Sequence, residues 1–327
     1  MITRRAALLG LGAGMVPPAA FGTTAPARTL TAADVHVSGY PTVEAVRWIG
    51  RELELATGGR LDIRAYHSGQ LGREQDTVEL ARFGAIDLTR VNFAALTNAF
   101  PLTGVPALPY VFDSVAHLRR AMDGEPGRRI LDGFAARDLV GLCIYDSGVR
   151  CVYNVRRPIE VPEDLHGLKV RVPPSDVFID IGAALGANPT PLAFGEVYSA
   201  LQTHLIDGAE NNVRSFVSSR QFEVARHWSE TDHSYSPEAL LMSRRSFEAL
   251  GQDERRLLVD VAARSVPYMR TLWDTAENEA KAAVAAAGVI TNPVDLDAFR
   301  RATEPLRERY LADPAMRRLH DDIRRLA

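Results

Sequence analysis

Two arginines set inside apolar, alternating runs are the residues of this chain best suited to do chemistry. Arg150 lies in Val149–Tyr153 and Arg171 in Lys169–Val172, and both runs read as β-strands. A planar guanidinium can hold a carboxylate through two parallel hydrogen bonds, a geometry lysine cannot reproduce. Asn211 follows Asp207-Gly208-Ala209-Glu210 as the first of an asparagine pair, and its amide can both donate and accept. A basic residue in an alternating strand more often sits on a solvated face. Two such strands followed by the asparagine pair shift the balance toward a carboxylate site. Other chemistries lack their residues. There is no HExxH, no CxxC and no phosphate loop, and the eight histidines do not fall at metal-ligand spacing. His67-Ser68-Gly69 lacks the strand-to-helix elbow of a serine hydrolase. No metal and no cofactor are expected.

The elements that must position these groups read as α/β. In Gly167–Asn212, Pro173-Pro174 ends the Lys169–Val172 strand, and Ser175-Asp176 offers a cap for a helix. Val177, Phe178, Ile181, Ala184 and Leu185 follow helical spacing up to Gly186. Asn188–Pro191 reads as a two-proline loop, followed by a helix over about 196–203 and a small-residue turn into Asn211-Asn212. Upstream, Thr42 opens a helix to Thr57, Leu61, Ile63 and Ala65 alternate as a half-buried strand, and a short helix spans about 74–83. A strand-like run over 85–91 delivers Asn92, and Val140–Tyr145 precedes the strand of Arg150. Downstream, Thr231–Met242 looks extended, and the helical pattern of about 252–287 is broken only by Pro267, which should kink it. The tail from Leu296 is amphipathic and helical.

At 327 residues the chain is long enough for two domains, and 46% hydrophobic with 24% charged residues is a globular composition. A formal net charge of -3 supplies no basic field, so nucleic acid is not an expected partner. Arg4-Arg5 before the apolar run Ala6–Ala20 resembles a Tat export signal, here placed at 1–27, and the run is too short and too proline-broken to span a membrane. Localisation in the periplasm is the expectation. Cys143 and Cys151 either pair in that oxidising compartment or stay as two buried thiols.

The runs Gly167–Pro173, Gly186–Leu201 and Asp207–Asn211 resemble the substrate-binding proteins of TRAP (tripartite ATP-independent periplasmic) transporters. Ser68–Gly72, Gly84–Asp87 and Gly148–Asn154 add to the resemblance, which spans about 35–289. It implies a two-lobed periplasmic binding protein fold with a long helix spanning both lobes. The expected lobes are 28–148 with about 236–270, and 149–235 with about 271–327. In that family the position of Arg171 binds the ligand carboxylate, Arg150 is a second anion contact, Asn211 orients the ligand, Phe194 covers it and Asn92 takes part in selection. His36, Tyr40, Arg90–Asn92, Tyr145–Arg150 and Val172–Asp176 are similar to members that bind hexuronates such as glucuronate and galacturonate. His36, Glu74, Arg90, Asn92, Ser175 and Asp176 then become candidates for the hydroxyls. Against that, Ser175 and Asp176 can simply cap their helix, Glu74 can face solvent and His36 can be a satisfied loop residue. The implied partners are a small carboxylate and the permease subunits of a TRAP transporter, with the receptor itself a monomer. Other organic acids (aldonate, keto acid, dicarboxylate) and a sensor-coupled receptor are the alternatives. A sugar-acid enzyme would need Tyr145 or His36 as its base.

Overall fold

The computed structural model describes residues 27–327. The expected export segment, but for Ala27, lies outside the described residues. Eleven strands are described: β1 (Arg28–Ala33), β2 (Leu61–Tyr66), β3 (Leu88–Asn92), β4 (Leu139–Tyr145), β5 (Val149–Asn154), β6 (Lys169–Val172), β7 (Asn188–Pro191), β8 (Gly208–Asn211), β9 (His227–Tyr235), β10 (Glu238–Ser243) and β11 (Ile290–Asn292). They form two sheets, in the orders β2-β1-β3-β10-β4 and β11-β9-β5-β8-β6-β7. In each sheet parallel pairs (β1 with β2 and β3; β6 with β7 and β8) stand beside antiparallel ones. The chain crosses between the sheets at Asp146–Gly148, joining β4 to β5, and at Ser236-Pro237, joining β9 to β10.

Local chemistry accounts for the main elements. The helix Pro41–Thr57 starts on a proline at its first turn and stops at Gly58, whose φ of 63° is left-handed. Its face of Val43, Val46, Ile49 and Leu53 is fully buried. The helix Gln252–Ala286 runs 35 residues with Pro267 inside it, so the proline does not end it. Leu258, Val261 and Met269 pack into the core of the first sheet, while Ala280 and Val284 join that of the second. One helix thus braces both lobes.

Two expectations change, and one helix is new. Asn188–Pro191 is an edge strand rather than a loop; it pairs in parallel with β6 alone, where prolines cost no ladder bonds on the open side. The small-residue run ending in Asn211 is strand β8 rather than a turn, lodged between β5 and β6. Ahead of β4, Glu125–Gly133 is a helix that the short, charged sequence concealed. In the tail, Leu296–Tyr310 packs on Asp176–Ala184 beside the second sheet, whereas Pro314–Arg324 returns to Gly104–Ala107 and Glu125–Gly133.

Gly208 shows why β8 needs small residues. A Cβ there would lie 2.6 Å from the carbonyl oxygen of Tyr153 on β5. Gly208→Ala should therefore lower the unfolding free energy by about 1–3 kcal/mol, the usual cost of overpacking, in a denaturant titration. Cys143 and Cys151 are free and buried, one on each sheet. Burial pushes the Cys143 thiol up to about 12, and Cys151 is also raised well above its ordinary range. Native protein should resist thiol reagents at neutral pH and release two thiols on denaturation without reductant.

Candidate functional site

A cavity of about 340 Å³ lies between the sheets, where the carboxyl ends of the parallel strands converge. From the first sheet, the segment after β1 delivers His36, that after β2 delivers Ser68 and Gly69, and β3 ends on Asn92. From the second, β6 delivers Arg171 and Pro173, β8 delivers Asn211 and Asn212, and the segment after β7 delivers Phe194.

Arg171 dominates the second-lobe wall. It is 3% exposed, yet its one hydrogen bond to the described residues runs from Nε to the Leu192 carbonyl at 2.9 Å. Among the described residues no carboxylate pairs with it, and burial pulls its pKa below the ordinary arginine value. Its two amino groups are left for something else. Arg150 differs: Nε and Nη2 grip the Glu210 carboxylate at 2.5 and 2.8 Å, and Nη1 donates to Asn211 Oδ1 at 3.2 Å. Burial alone would raise Glu210, but Arg150 and the neighbouring His233 outweigh it and hold the carboxyl at about 2. Asn211 Oδ1 is thereby used inside the protein, with the Asn212 N–H as its second donor at 2.8 Å, and the Nδ2 amide is left over. Phe194 stands edge-on to His36, ring centres 5.1 Å apart, so the two lobes meet over the cavity.

The first-lobe wall is built around Arg90, 1% exposed. Its Nε and Nη2 hold Asp34, with Nε to Oδ2 at 3.0 Å; Nη1 lies 3.0 Å from Glu74 and 3.1 Å from Glu238. Burial opposes its charge, yet the three carboxylates raise its pKa well above the ordinary value. Burial likewise raises Glu74 despite Arg90 and the Asn92 N–H, whereas Glu238 is held at about 2 because Arg90 and His36 overcome its desolvation. His36 stacks on Tyr40 at 3.7 Å, and the Tyr40 hydroxyl reaches Ser215 of the opposite lobe at 3.0 Å.

Seven of the ten candidates line the cavity: His36, Glu74, Asn92, Arg150, Arg171, Phe194 and Asn211. Three do not. Arg90 lies behind the wall, because its whole fork is consumed by carboxylates. Ser175 accepts the Phe178 N–H as a helix cap and bonds Thr97 at 2.7 Å. Asp176 is exposed and pairs with Asn98 at 3.2 Å. Asn92 lines the cavity with its amide already engaged, Oδ1 by Ala94 N–H and the Ser236 hydroxyl and Nδ2 by the Ser236 carbonyl at 2.9 Å. Tyr145 is fully buried against Ser265 and does not line the cavity.

The sequence reading missed Ser147, Asn212 and Glu238. Ser147, at the crossover, donates to Glu238 at 3.1 Å and accepts from Asn212 at 3.3 Å, so one hydroxyl ties the lobes together at the cavity's rear. Glu238 had a readable signal: a lone acid opening the apolar run Ala239–Met242 right after a crossover proline. Ser147 and Asn212 had only their place in the crossover and the asparagine pair.

A family model for bacterial extracellular solute-binding proteins, family 7 (DctP), matches residues 32–313. The chain belongs to that family. It is similar to a TRAP periplasmic solute-binding protein of a Bradyrhizobium species solved with α/β-D-galacturonate, at 42% identity and TM-score 0.89, covering 91% of this chain and 99% of that one. A counterpart from Roseobacter denitrificans with bound β-D-glucuronate is 37% identical, TM-score 0.88, over 91% and 99%. A solute-binding protein of Chromohalobacter salexigens is 35% identical over 312 residues, 95% of this chain and 93% of that protein. The family 7 fold and the interlobe cavity together make this cleft the candidate ligand site.

Within this family 7 protein, Arg90→Ala should cost about 3–5 kcal/mol of stability, because it strands Asp34, Glu74 and Glu238 without their shared cation. Chemical denaturation measures it; a loss under about 1 kcal/mol would mean that the network contributes little.

Proposed function

We propose that the protein is the periplasmic receptor of a TRAP transporter and binds a hexuronate, D-glucuronate or D-galacturonate, between closing lobes. The observation that carries this is Arg171: a buried guanidinium with two free amino groups facing an interlobe cavity. A carboxylate docked there completes the fork and removes the charge imbalance. The neighbouring structures with galacturonate and glucuronate support the sugar-acid class.

Each wall has its part in this reading. Arg171 anchors the carboxylate. Arg150, neutralised by Glu210, serves mainly to hold Asn211, whose Nδ2 orients the ligand. Phe194 and His36 close over the sugar, and Glu74 meets its hydroxyls. Arg90 supports Glu74 and Glu238 from behind, and Ser175 and Asp176 act at the lobe junction rather than on the ligand. The lobes divide at 28–148 with about 236–270, and 149–235 with about 271–313, the last helix returning to the first. Closure is a population shift driven by contacts the ligand makes with both walls at once. Export by the Arg4-Arg5 signal places a monomeric receptor in the periplasm, where it hands the acid to membrane permease subunits without altering it.

Charge-assisted hydrogen bonds contribute on the order of 1.5–3 kcal/mol each, against about -8 kcal/mol for micromolar binding. Arg171→Ala should therefore lose at least about a hundredfold in affinity by calorimetry, and Arg171→Lys nearly as much, because it keeps the charge without the fork. A wild-type titration curve from either variant would overturn the assignment. Ligand at about 100 times its dissociation constant should stabilise the wild type by about 2.7 kcal/mol.

A further inference from the structure

The two cavity walls carry opposite surpluses of charge. On the second-lobe side there are two buried guanidiniums, Arg150 and Arg171, and one buried carboxylate, Glu210, which pairs with Arg150 and not with Arg171. On the first-lobe side three carboxylates, Asp34, Glu74 and Glu238, share the single guanidinium of Arg90. Two of these acids also keep an oxygen without a hydrogen-bond donor. Glu74 Oε1 takes Arg90 and the Asn92 N–H, while its Oε2 accepts nothing from the described residues. Glu238 Oε2 is buried and accepts no hydrogen bond, although Arg90 Nη1 stands 3.1 Å away. Even with Glu74 protonated, Asp34 and Glu238 outnumber Arg90.

We propose that Glu74 and Glu238 make this wall a charge filter: the site takes acids with one carboxylate and an uncharged hydroxylated end, and rejects acids charged at both ends. This rests on the reading that the ligand carboxylate docks on Arg171. Hydroxyls donate to Glu74 Oε2, while buried Glu238 beside it adds negative charge to the same wall, which suits a sugar ring or polyol chain. A second carboxylate reaching the same wall brings only acceptors to meet acceptors, and like charges repel more strongly between protein walls than in bulk water. The filter also fixes orientation, since a ligand turned end for end would leave Arg171 unpaired.

The experiment is calorimetric titration of the full mature chain with D-glucuronate, D-galacturonate and the matching hexaric acids, in which C1 is oxidised to a second carboxylate and the ring is lost. The matching aldonates, open-chain acids of one carboxylate, separate charge from ring opening. Wild type is expected to bind at least one hexuronate and to bind the hexaric acids a hundredfold more weakly or worse. In Glu74→Gln, which keeps shape and removes charge, the ratio should narrow by about tenfold or more, with Glu238→Gln as the second variant and circular dichroism to establish folding. A role in stability alone would lower both affinities together and leave their ratio fixed. Hexaric acids bound within tenfold of a hexuronate by wild type, or an unchanged ratio in both folded variants, would overturn the filter and leave the uronate reading standing. If no hexuronate binds, that reading fails, and an aldonate measured against the hexaric acids still decides the filter; if no sugar acid binds at all, both fail.

Discussion

Everything in this cleft follows from a buried cation that the protein does not neutralise. Removing a guanidinium from water costs several kcal/mol unless a partner replaces the lost solvation. Arg90 and Arg150 obey that rule with carboxylates of their own, but Arg171 has only the Leu192 carbonyl. The second lobe therefore holds an unfavourable charge that an incoming carboxylate would relieve. Geometry makes the relief specific. β6 fixes the arginine at its carboxyl end, Leu192 just after β7 supplies the carbonyl that holds Nε, and the remaining face of the fork lines the cavity.

The opposite wall is kept rigid by a different economy, in which one arginine serves three acids. Asp34 is fully bonded by Arg90, Thr42 and the His36 N–H, but Glu74 and Glu238 each keep one oxygen that accepts no hydrogen bond from the described residues. The crossover joins the two walls mechanically. Asp146 accepts Arg119 at 2.5 Å and Arg270 at 3.1 Å, anchoring the crossover to the helix Val115–Asp123 and to the long helix. Ser147 next to it bonds both Glu238 and Asn212, and Gly148 follows with φ at 67°. Three consecutive residues thus provide an anchor, a coupling hydroxyl and a turn that favours glycine.

Much of the architecture was legible because it rests on local patterns. Alternation marked β5 and β6, helical spacing with Gly58 as a stop marked the first helix, and the Gln252–Ala286 pattern marked the long one within a residue. Where reading failed, pairing context had overruled local propensity. Asn188–Pro191 carries two prolines yet forms a strand because it sits at an edge, and Asp207–Asn211 looked like a turn because its strand must be small to fit beside Tyr153.

For the site, the sequence by itself determined which groups can grip an acid: arginines in apolar, alternating strands and an amide after a small-residue run, each set by side-chain chemistry. It could not rank them. Arg90, Arg150 and Arg171 are alike as residues, and only the fold, by bringing Asp34, Glu74 and Glu238 to the first and Glu210 to the second, decided that the third stays open. Ser175 and Asp176 were likewise candidates until Thr97 and Asn98, about eighty residues earlier, proved to occupy them. The reason is physical: the availability of a charged group depends on what lies within about 4 Å of it, and in a fold whose sheets draw strands from distant parts of the chain those neighbours are not neighbours in sequence.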